Sequence, residues 1–79
     1  GSGSVIVVEV KSTPDKAQIP DFLASLDEFD DFYPEYCEFE RFGFFASWSL
    51  PEPVRDALRK AGLYGLAMGD ETMELVVRP

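Results

Sequence analysis

Apolar side chains recur along this chain with two different periods, and together they predict an alternation of strands and helices. Residues 4–11, "SVIVVEVK", carry β-branched side chains on both alternating faces, which is typical of a strand covered on both sides of a sheet. Pro14 lies in the loop that follows and stops the strand. Residues 19–33 then place apolar side chains at i, i+3, i+4 and i+7, the spacing of a one-sided helix, and Pro34 ends that helix.

The next segment predicts a second strand followed by a second helix. Residues 38–49 are dense in aromatic side chains, and Gly43 among them marks a bulge or a close approach of the backbone to another element. Residues 49–62 predict an amphipathic helix, in which Ser49 and Glu52 have the spacing of a capping box.

Two short strands complete the pattern. Residues 63–68 and 72–77 each hold an apolar run, and residues 69–71 between them predict a hairpin turn. The order is therefore β-α-β-α-β-β, which indicates an α/β fold. Since strands joined through helices run parallel, we expect a mixed, mostly parallel sheet of four strands flanked by two helices.

Length and composition fit one small domain. The chain has 79 residues, of which 46% are hydrophobic, so we expect a folded domain over residues 5–79. The Gly-Ser repeat in residues 1–4 is typical of a tag or linker. Cys37 is the only cysteine and there is no histidine, which excludes an internal disulfide and most zinc sites and catalytic triads. With no apolar run near ~20 residues and no signal-like opening, we expect a cytoplasmic protein without a membrane span.

The balance of charge is acidic. Fifteen Asp and Glu residues against seven Lys and Arg give a net charge of −8, which repels phosphate backbones over about a Debye length. Arg55, Arg59 and Lys60 form a basic cluster that is too small for a duplex footprint. We therefore do not expect this chain alone to bind nucleic acid.

A charged pair interrupts the apolar first strand. Because side chains alternate along a strand, Glu9 and Lys11 point to the same face, about 7 Å apart at ~3.4 Å per residue. They stand at the carboxyl end of the strand, where ligands bind in open α/β sheets. A carboxylate that holds Mg²⁺ beside a lysine that stabilises developing phosphate charge suits metal-assisted phosphodiester hydrolysis. The alternative is a local ion pair at the strand end with no catalytic role.

The order of motifs resembles the second half of the restriction-endonuclease-like core, the PD-(D/E)XK nuclease superfamily. The likeness is strongest to prokaryotic members of unknown function, in which an apolar strand ending in E-V-K leads into a Phe- and Leu-rich helix that closes on F-P-E-Y. A strand of Gly and aromatic residues and a helix ending in a G-L pair follow. The matching segments here are "VIVVEVKST", "FYPEY", "RFGFFASWS" and "LRKAGLYGLAM", and the resemblance covers nearly all of residues 5–76.

The resemblance implies a metal-binding role for Glu9 and a catalytic role for both Glu9 and Lys11, with Mg²⁺ as the cofactor. The second metal-binding Asp of that family lies on the preceding strand, and no residue of this sequence matches it. The resemblance therefore implies an incomplete core: a fragment or degenerate relative that is inactive alone and acts in assembly or interaction. The alternative is a Mg²⁺-dependent DNA endonuclease completed by missing sequence or by a partner chain.

Two further expectations concern assembly and fold. Loss of the family's upstream hairpin would uncover an edge and part of a face of the sheet, so we expect a homo-oligomer that buries the exposed sheet edge or an apolar face. A ferredoxin-like βαββαβ binding module is a third alternative. It requires residues 36–48 to split at Gly43 into two strands, where the nuclease-like fold requires one continuous strand.

Overall fold

The computed structural model describes residues 3–36, 38–69 and 71–79, and over these it has an α/β fold with the predicted order of elements. The strands and α-helices are β1 Ser4–Val10, α1 Gln18–Phe32, β2 Glu40–Ser47, α2 Glu52–Ala61, β3 Tyr64–Met68 and β4 Met73–Val77. A short 3-10 turn at Pro34–Tyr36 follows α1. None of the described helices is long and apolar enough to cross a lipid bilayer.

The strands form one mixed sheet whose order in space is the same as their order in the chain. β1 and β2 run parallel, β2 and β3 run parallel, and β4 returns antiparallel beside β3. This confirms the predicted four-stranded, mostly parallel sheet. Since both helical connections step in the same direction and such connections are right-handed, both helices lie on the same face of the sheet.

The core fills the space between the two helices and that face of the sheet. Phe45 is fully buried at its centre, with its ring centroid 6.5 Å from that of Phe22 on α1. From α2, Val54 and Leu58 pack into the same cluster, and Val77 closes it from β4. The molecule is accordingly thin, with principal extents of 36 × 26 × 20 Å.

The opposite face of the sheet is not covered, so the prediction that both faces of β1 are buried was wrong. Ile6, Val8 and Val10 point to this face with 50% to 63% of their surface exposed. On the helix-covered side Val5 and Val7 are partly buried, so the apolar run of β1 indicated cover on one side only. The apolar residues of β1 do not indicate on which face of the sheet the two helices pack.

The helix ends agree with the sequence in part. Gly62 ends α2 in the left-handed conformation, with φ at 75°, after the basic residues Arg59 and Lys60 of the last turn. The capping box of Ser49 and Glu52 is wrong, because α2 begins at Glu52 itself and Pro51 occupies the cap position without a side-chain hydrogen bond. The rigid ring of Pro51 sets the chain direction there in place of a hydroxyl cap.

β2 runs without a break through Gly43, so the ferredoxin-like alternative is wrong. Gly43 instead permits a close approach of the core. A Cβ atom added at this position would lie 2.6 Å from Cδ2 of Leu63 and 2.8 Å from Cδ1 of Leu26. The structure therefore supports the second of the two roles that the sequence indicated for Gly43.

The first described residues already take part in the sheet. Ser4 is the first residue of β1, and the carbonyl of Gly3 accepts a hydrogen bond of 3.1 Å from the amide of Glu40. Part of the segment interpreted as a tag or linker thus joins the sheet. The interpretation of Cys37, and the centre of the turn at Asp70, lie outside the described residues.

Candidate functional site

Glu9 and Lys11 lie on the helix-covered side of the sheet, at the carboxyl end of β1. Glu9 pairs across the sheet with Phe45, whose side chain is in the core, so both point toward the helices. The backbone amide of Lys11 donates a hydrogen bond of 2.9 Å to the carbonyl of Ala46, which holds the next residues of the chain against β2. The two charged side chains therefore share one side, as the alternation of the strand predicted.

The two side chains form an ion pair. Nζ of Lys11 lies 3.3 Å from Oε1 of Glu9, and each side chain keeps 40% of its surface exposed. A pair this accessible to water contributes only about 0–1 kcal/mol to the free energy of unfolding. Glu9 and Lys11 are therefore not needed for the stability of the fold.

The pair opens into a small cleft between the end of β1 and the first half of α1. The cleft has a volume of about 180 Å³ and is lined by Glu9, Lys11, Gln18, Asp21, Phe22 and Ser25. The four helical residues follow the spacing i, i+3, i+4 and i+7, so they form one stripe of α1. Nothing in the sequence pattern singled out Gln18, Asp21 or Ser25 as residues that line a site with Glu9 and Lys11. The spacing along α1 could be predicted from the sequence. The packing of this stripe against the end of β1 could not.

The polar groups of the cleft are not equally available. Gln18 uses both ends of its amide group, accepting from the amide of Asp15 and donating to the carbonyl of Thr13. The hydroxyl of Ser25 donates to the carbonyl of Asp21 at 3.1 Å. The charged groups that line the cleft are therefore the carboxylates of Glu9 and Asp21 and the ammonium of Lys11, a set that suits a small polar ligand.

The donor set of the cleft does not by itself make a Mg²⁺ site. Among the described residues, no group of three or more Asp, Glu, Cys or His side chains could hold a metal ion. The carboxylate of Glu9 is already in contact with the ammonium of Lys11. Mg²⁺ keeps most of its waters and binds through carboxylates together with substrate phosphates, so a further anionic ligand is required here.

The uncovered side of the sheet is a second candidate site, and we call it the open face. Aromatic rings pack along it, with the rings of Phe44 and Tyr64 stacked at 4.6 Å and Phe42 edge-on to Tyr64 at 6.2 Å. Its charged member is Glu40, which lies at the margin of the face, at the amino end of β2. The register assigns to the open face Ser4, Ile6, Val8 and Val10 of β1, Glu40, Phe42, Phe44 and Ala46 of β2, Tyr64, Leu66 and Met68 of β3, and Met73 and Leu75 of β4.

Comparison of the chain with protein-family models, with curated proteins and with solved structures found no match. The resemblance to the PD-(D/E)XK nucleases therefore depends on the quoted sequence segments alone and stays a prediction. The two candidate sites are defined by this structure, with the cleft at one end of the sheet and the open face across its second side.

Proposed function

We propose that this chain is a protein-interaction domain that buries the open face of its sheet against another protein surface. One observation carries the proposal: a mostly parallel sheet presents a face whose centre is apolar and uncharged, with Glu40 only at its margin. Parallel sheets in proteins are covered on both faces, because their strands are apolar on both sides. A partner surface would supply the missing cover.

The extent of the open face supports the same proposal. Four strands about 4.8 Å apart, with about five residues each at ~3.3 Å, span roughly 20 by 17 Å. A contiguous apolar patch of a few hundred Å² is the size that marks interaction sites on small proteins. The exposure of Ile6, Val8 and Met73 shows that large side chains of this face are accessible in the single chain.

The proposed domain is a nuclease-like fragment or degenerate relative with no nuclease activity of its own. Glu9 and Lys11 support the lineage, because they share one side of β1 and one cleft as the family's acid and lysine would. The net charge of −8 supports inactivity toward nucleic acid, since a polyanion is repelled within about 8 Å at physiological ionic strength.

The accessible open face can be tested with Nile Red, a neutral dye whose emission rises in apolar surroundings. At low protein concentration we expect the folded chain to bind the dye and Val8→Glu to weaken that binding, because a charge would then stand at the centre of the β1 side of the face. Phe32→Glu is the matched control: Phe32 is 73% exposed, but it lies at the end of α1 on the other layer. Equal dye emission from both variants and the wild type would contradict the proposal.

A second candidate function is a Mg²⁺-dependent DNA endonuclease completed by missing sequence or by a partner chain. The specific observation in its favour is that Asp21 joins Glu9 and Lys11 in the cleft. The site would still need an anionic ligand from elsewhere.

Plasmid incubated with the chain and Mg²⁺ or Mn²⁺ tests this candidate. The first proposal expects no nicking by the wild type. Nicking that disappears in both Glu9→Gln and Lys11→Met would favour the endonuclease. Lys60→Met is the control for Lys11→Met, because Lys60 pairs with Asp56 on α2 and its loss lowers the net charge by the same one unit. Nicking that also disappears in this control would indicate a general charge effect.

A further inference from the structure

We infer that the partner on the open face is a second copy of this chain, in a two-fold symmetric dimer that packs sheet against sheet. This inference depends on the proposed interaction function and names its partner. Three features of the molecule carry it: where the charges lie, how large the face is, and how the face would meet itself.

The acidic residues of the helical elements lie on the layer away from the open face. Asp21, Asp27, Glu28, Asp30 and Asp31 belong to α1, and Glu52 and Asp56 belong to α2. Packed sheets are about 10 Å apart, and the helices lie beyond the sheets, so the acidic layers of two copies would be separated by more than the Debye length of about 8 Å. A dimer through the helices would instead bring the acidic layers into contact.

The face also offers a contiguous area for a dimer. Its flat footprint of roughly 20 by 17 Å is about 340 Å², and the side chains that stand out of the pleat raise the accessible area above that value, toward the ~800 Å² per partner of a standard interface. Trp48 adds to it at one end, since it lines a depression together with Met68 and Met73. Large apolar and aromatic residues of this kind dominate the binding energy of protein interfaces.

In an isologous contact the same surface of both chains meets, so this surface must be complementary to itself. In a two-fold dimer each residue of the face meets residues of the same face, so any charge within it would meet a like charge or remain buried without a partner. The charged residues near the open face are Glu40 at the amino end of β2 and Glu71, which lines the depression beside Trp48 at the other end. Both lie at the margins, so the apolar centre of the face can meet its own copy without burying a charge.

Molar mass by light scattering and sedimentation, from low-micromolar to sub-millimolar chain, tests the inference. We expect the wild type to move from 8.9 kDa toward twice that mass. Val8→Glu and Met73→Glu should each raise the dissociation constant at least about a hundredfold, because each buries a charge in an apolar interface. Phe32→Glu should dimerise like the wild type. Circular dichroism checks that all the variants are folded.

Variants on both β1 and β4 distinguish a dimer that packs sheet against sheet from a dimer that pairs through the edge strand β1. Val8 is on an edge strand, so its variant alone could also disturb a dimer formed through the free edge of β1. Met73 lies on β4, at the opposite edge of the sheet. A dimer that Met73→Glu leaves intact would overturn the sheet-to-sheet arrangement.

Trp48 gives an independent reading of the same contact, because it is the only tryptophan in the chain and is 65% exposed. On dimerisation its emission should move to shorter wavelength and its quenching by acrylamide should fall, in the wild type but not in Val8→Glu. A wild type that stays monomeric overturns the inference. If Nile Red then still binds the open face, the proposed function survives with a different partner, and if it does not, both fail.

Discussion

Ser47 places a hydroxyl group inside the apolar core. Its side chain is fully buried, and Oγ has no hydrogen-bond partner among the described residues. It lies on the helix-covered side of β2, opposite Ala67 on β3. A buried polar group without a partner costs about 1–3 kcal/mol of stability. Nothing in the pattern of the sequence indicated this, since a serine near the end of a predicted strand is usually exposed.

We expect Ser47→Ala to raise the free energy of unfolding by about 1 kcal/mol, because it removes the unpaired hydroxyl and leaves almost no cavity. Urea denaturation of both proteins measures this. Ser25→Ala is the comparison, since the hydroxyl of Ser25 is exposed and already donates to Asp21, and its removal should change stability by less than about 0.5 kcal/mol. Destabilisation by Ser47→Ala would mean that the hydroxyl makes a bond in solution.

Two strand glycines touch the core with different neighbours. A Cβ at Gly43 would meet the terminal methyl groups of Leu63 and Leu26, which can rotate away. A Cβ at Gly65 would lie 2.9 Å from Cδ1 of Leu50 and 3.0 Å from Cβ of Val77, and the β-branched Val77 is stiff.

Gly65→Ala should therefore lower the free energy of unfolding by more than Gly43→Ala. Overpacking of this kind costs about 1–3 kcal/mol, and we expect Gly65→Ala near the upper end and Gly43→Ala near the lower end. Thermal and urea unfolding of the two variants give the ranking. The reverse order would show that the leucine methyl groups are more constrained than Val77.

At the scale of elements, the positions of strands and helices could be predicted from the sequence more accurately than the contacts between them. Helix α1 was predicted to within one residue at each end, because its apolar spacing and Pro34 both acted locally. The side-by-side placement of Glu9 and Lys11 was also predictable, because it depends only on the alternation of a strand. The cap of α2, the exposed side of β1 and the joining of Asp21 to the cleft were not, because each depends on contacts between elements distant in the chain.

Arg41 of β2 contacts three residues in the second half of α1 and so links that helix to the sheet. Its Nη1 lies 2.7 Å from Oδ1 of Asp30 and 3.3 Å from the carbonyl of Leu26, and its guanidinium lies 5.9 Å from the ring centroid of Phe29. Several weak contacts of one side chain to a single helix can add up to more than an isolated surface pair.

We expect Arg41→Met to lower the free energy of unfolding by about 1 kcal/mol, since it removes an ion pair and a hydrogen bond that link two elements. Arg59→Met is matched to it, because Arg59 pairs with Glu52 within α2 and both side chains are largely exposed. Its effect should stay below about 0.5 kcal/mol. Denaturant titration compares the two variants, and equal effects would contradict a role for Arg41 in joining helix and sheet.

At the scale of the whole molecule, the fold has two layers with different chemistry. Both helices cover one side of the sheet and carry much of the acidic charge, whereas the other side is apolar. One small core must then hold the chain together, and a domain of this size buries only about 60% of its unfolded surface. Any contact that covers the open face adds directly to the stability of the folded state.

A sheet-to-sheet dimer therefore predicts that the unfolding temperature rises with protein concentration, because association draws the equilibrium toward the folded chain. We expect this rise for the wild type and for Phe32→Glu, and a constant unfolding temperature for Val8→Glu. Differential scanning calorimetry over a wide concentration range measures it. A wild-type unfolding temperature that does not depend on concentration would contradict the predicted link between association and stability.

The return of β4 has a practical consequence for handling this molecule. Val77 is opposite Gly65 near the beginning of β3, so the last strand finishes at the end of the sheet where β1 starts. The beginning of β1 and the end of β4 thus lie at the same end of the sheet, and the cleft beside Glu9 lies at the opposite end. A fluorescent protein or surface anchor fused at either terminus would stand clear of the cleft, so one tethered preparation can be screened for small polar ligands without obstruction.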